Sequence, residues 1–252
     1  MSLSVALLTY NSERKLEEVL ESVKGIADEI VALDSGSTDR TLEILKSYGA
    51  KVYQREFDNF VNQKNYLLSL TTKEWVLFLD DDEVLTPQLA SSIEEALKNS
   101  QFDGYYLNRL TNYLGRWIKH AWYPDWQLRL AKREKCRWVG SEVHESLKVE
   151  GRVGYLKGDM LHYSYSSVSE HLSKIDRYST LYARGALKRG KKFSLLKLLT
   201  SPAGAFVRRY FLKRGFLDGF EGFVLSVMAS YYTFLKYLKL WELEKNESSN
   251  RP

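Results

Sequence analysis

Apolar runs and helix-periodic segments alternate along the first hundred residues. The runs at 3–10, 29–34, 50–56 and 75–79 have the length of strands, and the first is apolar almost throughout, as in strands buried on both faces of a sheet. Segments of helical spacing follow them, at 13–23, from a cap at Ser37 or Thr38 to Tyr48, and at 59–70. Strands that alternate with helices predict an α/β fold with a mostly parallel sheet and right-handed crossovers.

Polar side chains follow three of the predicted strands at their carboxyl ends. The groups are Thr9-Tyr10-Asn11, Asp34-Ser35-Gly36 and Asp80-Asp81-Asp82. Ligands of parallel α/β sheets bind beyond the carboxyl ends of the strands. The three groups therefore predict one binding site at one edge of the sheet.

The pattern changes after residue 100 to strands rich in Tyr, Trp and Leu. These are predicted at 103–115 and 125–133, in a hairpin around Gly151 over 147–158, and at 159–166. From Val168 onward the spacing is helical. Pro202 is expected to end one helix and to begin the next, near 202–213, and a last helix is expected over roughly 220–244.

Composition places the chain among globular proteins. Of its 252 residues, 44% are hydrophobic and 27% are charged, which suffices for the core of one large domain or of a domain with a sizeable appendage. The one cysteine, Cys136, excludes an internal disulfide and fits a reducing compartment. No leader-like or membrane-spanning run is recognised, so a cytoplasmic location is expected.

The basic residues are concentrated near the C-terminus. Residues 184–239 carry twelve Lys or Arg against Asp218 and Glu221, whereas the net charge of the whole chain is +5. Aromatic and aliphatic residues are interleaved with these cations. The segment could be a pair of packed helices with solvated basic faces, or a surface that binds an anionic membrane. Nucleic acid is not expected as a partner, because none of its recognition motifs occurs.

Four acidic residues in a row, Asp80 to Glu83, end a predicted buried strand. Such a cluster could be a solvated turn that caps a helix. A Mg²⁺ or Mn²⁺ ion would instead relieve the repulsion, because hard cations bind one or two carboxylates together with substrate phosphates. The position of the cluster, beside the other polar strand ends, favours the metal.

The other polar residues at this edge each have a structural alternative. Asp34 could cap a turn or accept an N–H from a nucleobase, and Thr9, Asn11 and Glu13 could cap backbone groups or line a nucleotide site. Lys64 could be an exposed helix residue or a cation near a phosphate.

The order of these motifs resembles that of family 2 glycosyltransferases with the GT-A fold. The first part of the resemblance is carried by LLTYNSE, VALDSGSTDRT, VNQKN and LFLDDDE. The second part is similar to the subgroup of β-glucosyltransferases of the lipopolysaccharide inner core and is carried by HAWYPDWQLRL, WVGSEVHESL, GDMLHYS and RGFLDGFEGF. Together these motifs cover nearly the whole chain.

The resemblance implies roles for particular residues. It implies contacts with a nucleotide-sugar from Thr9, Asn11, Glu13, Asp34, Ser35, Lys64, Asp80 and Asp81. It implies Asp82 and His144 as metal ligands. An inverting transferase needs a carboxylate that takes the proton of the acceptor hydroxyl. Glu145 is the predicted base, Glu142 and Asp125 are its rivals, and His162 is expected to be structural.

The resemblance further implies a metal-dependent inverting transfer of glucose from UDP-glucose to a heptose of lipid A-core. Residues 1–166 would form the catalytic domain, with a nucleotide-sugar half at 1–100 and an acceptor half at 101–166, and 167–252 would form a basic helical extension. The enzyme would bind as a peripheral protein to the cytoplasmic face of the inner membrane. Two alternatives are a transferase that acts on a polyprenyl phosphate and a non-catalytic module that binds a membrane surface or lipopolysaccharide.

Overall fold

The computed structural model describes residues 2–99, 101–141 and 144–249, without the side chains of 141, 144 and 247–249. The chain divides into two compact units. The first contains the residues up to Leu110 together with Pro124–Tyr163, and the second contains Thr111–Tyr123 and the residues from Ser164 onward. Residues 111–123 thus belong with the C-terminal helices.

The elements of the N-terminal half alternate as the apolar pattern predicts. In chain order they are β1 (Leu3–Thr9), α1 (Leu16–Val23), β2 (Glu29–Asp34), α2 (Thr41–Ser47), β3 (Lys51–Gln54), α3 (Phe60–Leu70), β4 (Trp75–Asp80), β5 (Glu83–Leu85) and α4 (Pro87–Lys98). The side chains of Asn59 and Thr86 cap α3 and α4, and Pro87 stands at the start of α4, where its missing N–H costs no helical hydrogen bond.

The second half adds strands and then helices. These are β6 (Gly104–Tyr113), β7 (Arg116–Trp117), β8 (Trp126–Lys132), β9 (Cys136–Ser141), β10 (His144–Val149), β11 (Val153–Tyr165), α5 (Val168–Lys188), α6 (Leu195–Val207) and α7 (Gly219–Ser249). A π-helical turn at Arg208–Leu212 and a 3₁₀ turn at Gly215–Asp218 connect α6 to α7.

The strands of the main sheet follow the order β3-β2-β1-β4-β8-β6-β11-β5. The first four are parallel, whereas β8 is antiparallel to β4 and β6 is antiparallel to β8. β1 and β4 lie centrally and are almost fully buried, which explains their continuous apolar sequence. The predicted α/β fold is confirmed, and the four strands of the N-terminal half that pair with one another are parallel.

Three local predictions are wrong. The predicted hairpin around Gly151 is wrong, because β10 pairs with β9. One long strand, β11, covers both the second arm of that hairpin and the strand predicted at 159–166. Ser37 and Thr38 do not cap α2, since their side chains bind Asp34 and Asn11. Pro202 lies inside α6, where every described residue is at least partly exposed, so water can satisfy the carbonyl that loses its partner.

The second unit has a small core of its own around Tyr113, Ile118, Ala121 and Leu225. The buried carboxylate of Asp218 accepts hydrogen bonds from the backbone N–H groups of Lys119, His120 and Ala121 at 2.7–3.1 Å. Within the described residues, none of the helices combines the length and the apolarity needed to cross a bilayer.

Candidate active site

Asp34 organises the loop that follows β2. Its carboxylate is fully buried and accepts hydrogen bonds from the Thr9 hydroxyl at 3.1 Å and from the backbone N–H groups of Gly36 and Ser37, both at 2.9 Å. The parallel register places Thr9 opposite Asp34, which is why the two side chains meet. The contacts of Asp34 in this structure are therefore with the protein's own loop.

Asn11 and Glu13 join the end of β1 to the same loop. Asn11 has φ +51°, a left-handed conformation that Asn tolerates better than most residues. Its side-chain oxygen accepts from the Thr38 N–H at 2.9 Å, and the Glu13 carboxylate accepts from the Arg40 N–H at 3.1 Å. These residues, which are predicted to contact a nucleotide, thus hold together two loops at the carboxyl edge of the sheet. The Ser35 N–H joins the same edge by donating to the Thr9 carbonyl at 3.0 Å.

Arg129 is the main cation opposite the acidic cluster. Its guanidinium lies 2.6 Å from the Asp80 carboxylate and 3.0 Å from that of Glu83. Glu83 is completely buried, and Arg109 approaches it at 3.4 Å. Burial would raise the pKa of Asp80, but attraction to Arg129, Lys64 and Arg109 outweighs it and holds that pKa well below the usual range.

A bulge in β8 aims Arg129 at the site. Tyr105 of β6 pairs with Leu130 and Tyr106 pairs with Leu128, so Arg129 is the extra residue on β8. Bulges next to active sites often redirect a side chain in this way. Periodicity does not single out Arg129, whose sequence signal is a cation inside a largely apolar strand, WQLRL.

Lys64 connects the acidic cluster with the predicted base. Its ammonium group lies 3.3 Å from the Glu145 carboxylate and 3.8 Å from that of Asp80, and 4.3 Å from the centre of the Trp138 ring. Lys64 is only 6% exposed, whereas a surface lysine would extend into water. The alternative of an exposed helix residue is therefore wrong, and Glu145, 65 positions after Asp80 in the chain, is brought to the same edge.

Asp81 and Asp82 turn to different partners. The Ser12 hydroxyl donates to Asp81, whose pKa is raised chiefly by burial. Nε2 of His162 lies 3.6 Å from the Asp82 carboxylate, so His162, expected to be structural, stands beside the predicted metal ligand.

Of the alternative bases and the second predicted metal ligand, the structure describes the side chain of Asp125. Asp125 forms an ion pair with Arg109 at 2.8 Å and accepts from Gln127 at 2.7 Å, so its carboxylate is already engaged. Glu142 and the side chain of His144 lie outside the described residues.

The side chains at this edge fit a divalent metal ion that takes its remaining ligands from a substrate. Among the described residues, no group of three or more His, Cys, Asp or Glu side chains is arranged to hold a metal by itself. Mg²⁺ in nucleotide enzymes usually takes one or two carboxylates and completes its shell with phosphates and water. Asp82 offers such a carboxylate, with the His162 nitrogen adjacent.

Comparison with known proteins agrees with the class that this fold and site define, an α/β enzyme with a carboxylate-lined sheet edge. Residues 4–145 match the family model described as glycosyl transferase family 2. The chain belongs to this family and is a glycosyltransferase.

Relatives extend the match over the second half of the chain. An uncharacterized glycosyltransferase of Rickettsia typhi is 32% identical, with 96% of this chain and 87% of the relative covered. The lipopolysaccharide core biosynthesis glycosyltransferase LpsC of Rhizobium meliloti is 29% identical, with 96% and 93% covered. The crystal structure of S. aureus TarS 1–349 in complex with UDP-GlcNAc superposes with a TM-score of 0.53 at 15% identity, covering 98% of this chain and 92% of that one, which shows a shared fold.

Proposed function

We propose that the chain is a metal-dependent inverting glycosyltransferase that moves a sugar from a nucleotide-sugar to the lipopolysaccharide inner core. The observation that carries the proposal is the buried Lys64, which lies between Asp80 on β4 and Glu145 on β10. This arrangement brings together a site for a donor and a base for an acceptor.

The donor is held at the carboxyl edge of β1, β2 and β4. The loops fixed by Asn11, Glu13 and Asp34 form the rim for the nucleoside, with Ser35 beside them. Lys64 and Arg129 supply positive charge near the diphosphate, since charge-assisted hydrogen bonds to phosphate are the stronger ones. Asp80 and Asp81 lie next to this position.

Asp82 would hold a Mg²⁺ or Mn²⁺ ion, with His144 as a second predicted ligand. When bound, the ion neutralises charge on the departing diphosphate. The protein's part is to present the Asp82 carboxylate from the turn after β4, beside His162. The His162 imidazole, whose Nε2 lies 3.6 Å from that carboxylate, can help to orient it.

Glu145 removes the proton of the acceptor hydroxyl. As the hydroxyl oxygen forms its bond to the anomeric carbon, the bond from that carbon to the diphosphate oxygen breaks on the opposite side, and the configuration inverts. The proton passes to the Glu145 carboxylate. The Lys64 ammonium group, 3.3 Å away, holds that carboxylate in place through the reaction.

The acceptor and the sugar are proposed from the relatives and motifs. The LpsC relative supports an acceptor in the lipopolysaccharide core. We propose a heptose of lipid A-core as acceptor and UDP-glucose as donor.

The C-terminal unit supports contact with the membrane that holds such an acceptor. We call the following residues the apolar surface; each is a large apolar side chain at least 47% exposed: Leu195, Leu196, Leu199, Val207, Phe211, Leu212, Phe216, Leu217 and Phe220. Exposed apolar patches of this extent mark interaction sites.

Cations accompany the apolar surface. Lys197, Arg208, Lys213 and Arg214 are exposed in the same segment, which has Asp218 as its one acidic residue, buried against backbone N–H groups. Apolar residues flanked by cations suit the interface of an anionic bilayer. We propose that the enzyme attaches there as a peripheral protein on the cytoplasmic face of the inner membrane.

The donor site is tested by calorimetry of UDP in the presence of Mg²⁺ or Mn²⁺, followed by a transfer assay with UDP-, GDP- and ADP-sugars and lipid A-core. The expected result is metal-dependent UDP binding and transfer from UDP-glucose. Absence of UDP binding would contradict the enzymatic proposal, and transfer to a polyprenyl phosphate in place of lipid A-core would contradict the acceptor.

A further inference from the structure

Three aromatic rings form a cluster on neighbouring strands of the first unit. Tyr106 on β6 stacks on Tyr155 on β11, with ring centres 5.0 Å apart and planes inclined by 18°. Trp126, the first residue of β8, meets Tyr155 edge to face at 4.9 Å. We call these three residues the aromatic platform.

The aromatic platform faces away from the hydrophobic core. Tyr155 precedes the buried Leu156, and Tyr106 lies between the buried residues Tyr105 and Leu107, which belong to the main core cluster. Because successive side chains of a strand point to opposite faces, Tyr106 and Tyr155 project on the other side of the sheet. Tyr155 is 63% exposed and Trp126 is 40% exposed.

Cross-strand aromatic pairs can also stabilise a sheet without binding anything. A purely stabilising cluster gains most when its rings are covered, whereas two of these rings keep much of their surface in water. The exposure therefore favours a ligand that covers the ring faces.

The aromatic platform begins at the acidic end of the sheet. β8 is antiparallel to β4, so its first residue, Trp126, lies at the end where β4 delivers Asp80. Arg129, three residues farther along β8, contacts Asp80 at 2.6 Å. At roughly 3.3 Å per residue, Trp126 is about 10 Å along the strand from Arg129.

We propose that the aromatic platform is a saccharide-binding subsite for the acceptor, where it holds a sugar ring next to the one that is glycosylated. The proposal rests on the transfer to a saccharide proposed above. A pyranose has a face of C–H groups, which packs on the negative face of an aromatic ring, and its hydroxyls project sideways to water and polar groups. Lys157 is exposed and lies two positions after Tyr155 on the same face of β11. Its ammonium group can donate hydrogen bonds to hydroxyl or anionic substituents of the saccharide.

The subsite is tested by NMR titration with the oligosaccharide obtained from lipid A-core by complete deacylation. Saturation transfer to the saccharide and its Kd are measured for the full chain and for Trp126→Leu, Tyr155→Leu and Tyr155→Phe. Leucine keeps apolar bulk but removes the ring, whereas phenylalanine keeps the ring. Tyr178→Leu, which changes a tyrosine 45% exposed on α5, is the matched control. UDP binding by calorimetry reports the fold of each variant.

Weakening of the saccharide Kd by about tenfold in both ring-deleting variants is expected, which corresponds to about 1.4 kcal/mol. Tyr155→Phe and Tyr178→Leu are expected to bind the saccharide as the unmodified protein does. Equal affinity in the ring-deleting variants, or no saturation transfer from the unmodified protein to the saccharide, would overturn the subsite. Failure of the proposed function would give a different result, namely no binding of UDP to the unmodified protein.

Discussion

The acidic edge of the first unit buries charged groups, whereas the apolar surface of the second unit exposes apolar ones. At the acidic edge, Asp34 and Glu83 are completely buried, and each carboxylate has hydrogen-bond or ionic partners within the protein. On the apolar surface, Leu196, Leu212 and Phe220 are 71–75% exposed. The first region is already organised without a partner, whereas the second leaves apolar area that only a partner can cover.

The comparison separates two requirements of the proposed reaction. A catalytic site must hold its charged groups in position before the substrate arrives, because reorganisation during the reaction would be costly. A surface that attaches to a bilayer needs no such internal network and gains its free energy when its apolar residues leave water. Substitutions in the two regions should therefore change different measurements.

Asp82→Ala should have the largest effect on activity. Loss of the carboxylate proposed to hold the metal should abolish metal-dependent transfer, at least to the detection limit, because the charge of the leaving diphosphate is no longer neutralised. The measurement is transfer from UDP-glucose across a series of Mg²⁺ or Mn²⁺ concentrations. Glu150→Ala is a suitable control, since the Glu150 carboxylate is exposed and pairs with Arg137 at 3.8 Å. Unchanged metal dependence in Asp82→Ala would contradict the assignment.

Arg129→Met should have the largest effect on stability. Removing one partner of a buried ion pair typically costs about 3–5 kcal/mol. Without Arg129, the fully buried Glu83 would lose its nearer cation and keep Arg109, which lies 3.4 Å away. The free energy of unfolding is measured by urea titration. Arg133→Met, four residues away, breaks an exposed pair with Glu134 and should cost at most about 1 kcal/mol. Similar losses in the two variants would show that the acidic edge is not an internal network.

Sequence patterns predicted the strands of the acidic edge but not the network that joins them. Continuous apolar runs identified β1, β2 and β4, and the polar residues after them marked the edge. Periodicity could not identify Arg129 as a site residue, because the direction of its side chain depends on a bulge that follows from the register of β6 and β8. The contact between Lys64 and Glu145 joins residues 81 positions apart, so local spacing could not show it.

In the C-terminal segment, the sequence predicts the helices but not which of their apolar faces are covered. Its helical character and its basic charge were predicted, but a helix pattern does not tell which apolar face is covered by neighbouring helices. α6 packs against α7 and still leaves Leu195, Leu196 and Leu199 more than half exposed. The position of Pro202 inside α6 was mispredicted for the same reason, since an exposed helix tolerates the lost hydrogen bond.

The double substitution Leu196→Glu and Leu212→Glu should detach the protein from vesicles. Each leucine buried in an apolar environment contributes roughly 1.5–3 kcal/mol, so the vesicle partition coefficient should fall by at least about a hundredfold. Sedimentation with anionic liposomes at low salt measures it. Leu172→Glu is the matched control, because Leu172 is 40% exposed on α5 outside the apolar surface. If the unmodified protein does not sediment, the membrane proposal is wrong.

Protonation of His171 should lower the stability of the protein by a smaller amount, and only at mildly acidic pH. Its Nδ1 lies 3.0 Å from the buried Tyr113 hydroxyl. Burial, together with Arg209 and Lys174, lowers the pKa of His171 to about 4 against the attraction of Glu170. The unfolded chain therefore binds the proton first, and stability should be complete above about pH 6.5 and decline as the pH falls towards 4.

The measurement is the urea midpoint as a function of pH for the unmodified protein and for His171→Phe. The decline between pH 6.5 and 4 should be shallower in the variant, which has no group to protonate there. Parallel curves would show that other groups cause the pH dependence.

The central claim is that Glu145, held by Lys64 beside the acidic edge, is the base of an inverting transfer. Its most direct test is Glu145→Gln, which keeps the size of the side chain and removes its ability to accept the proton. Calorimetric UDP binding and turnover with UDP-glucose and lipid A-core are measured on the same preparation. In Glu145→Gln, the affinity for UDP should stay within about twofold of that of the unmodified protein, and turnover should fall by about 10²–10⁴-fold. Full transfer activity in this variant would show that Glu145 is not the base.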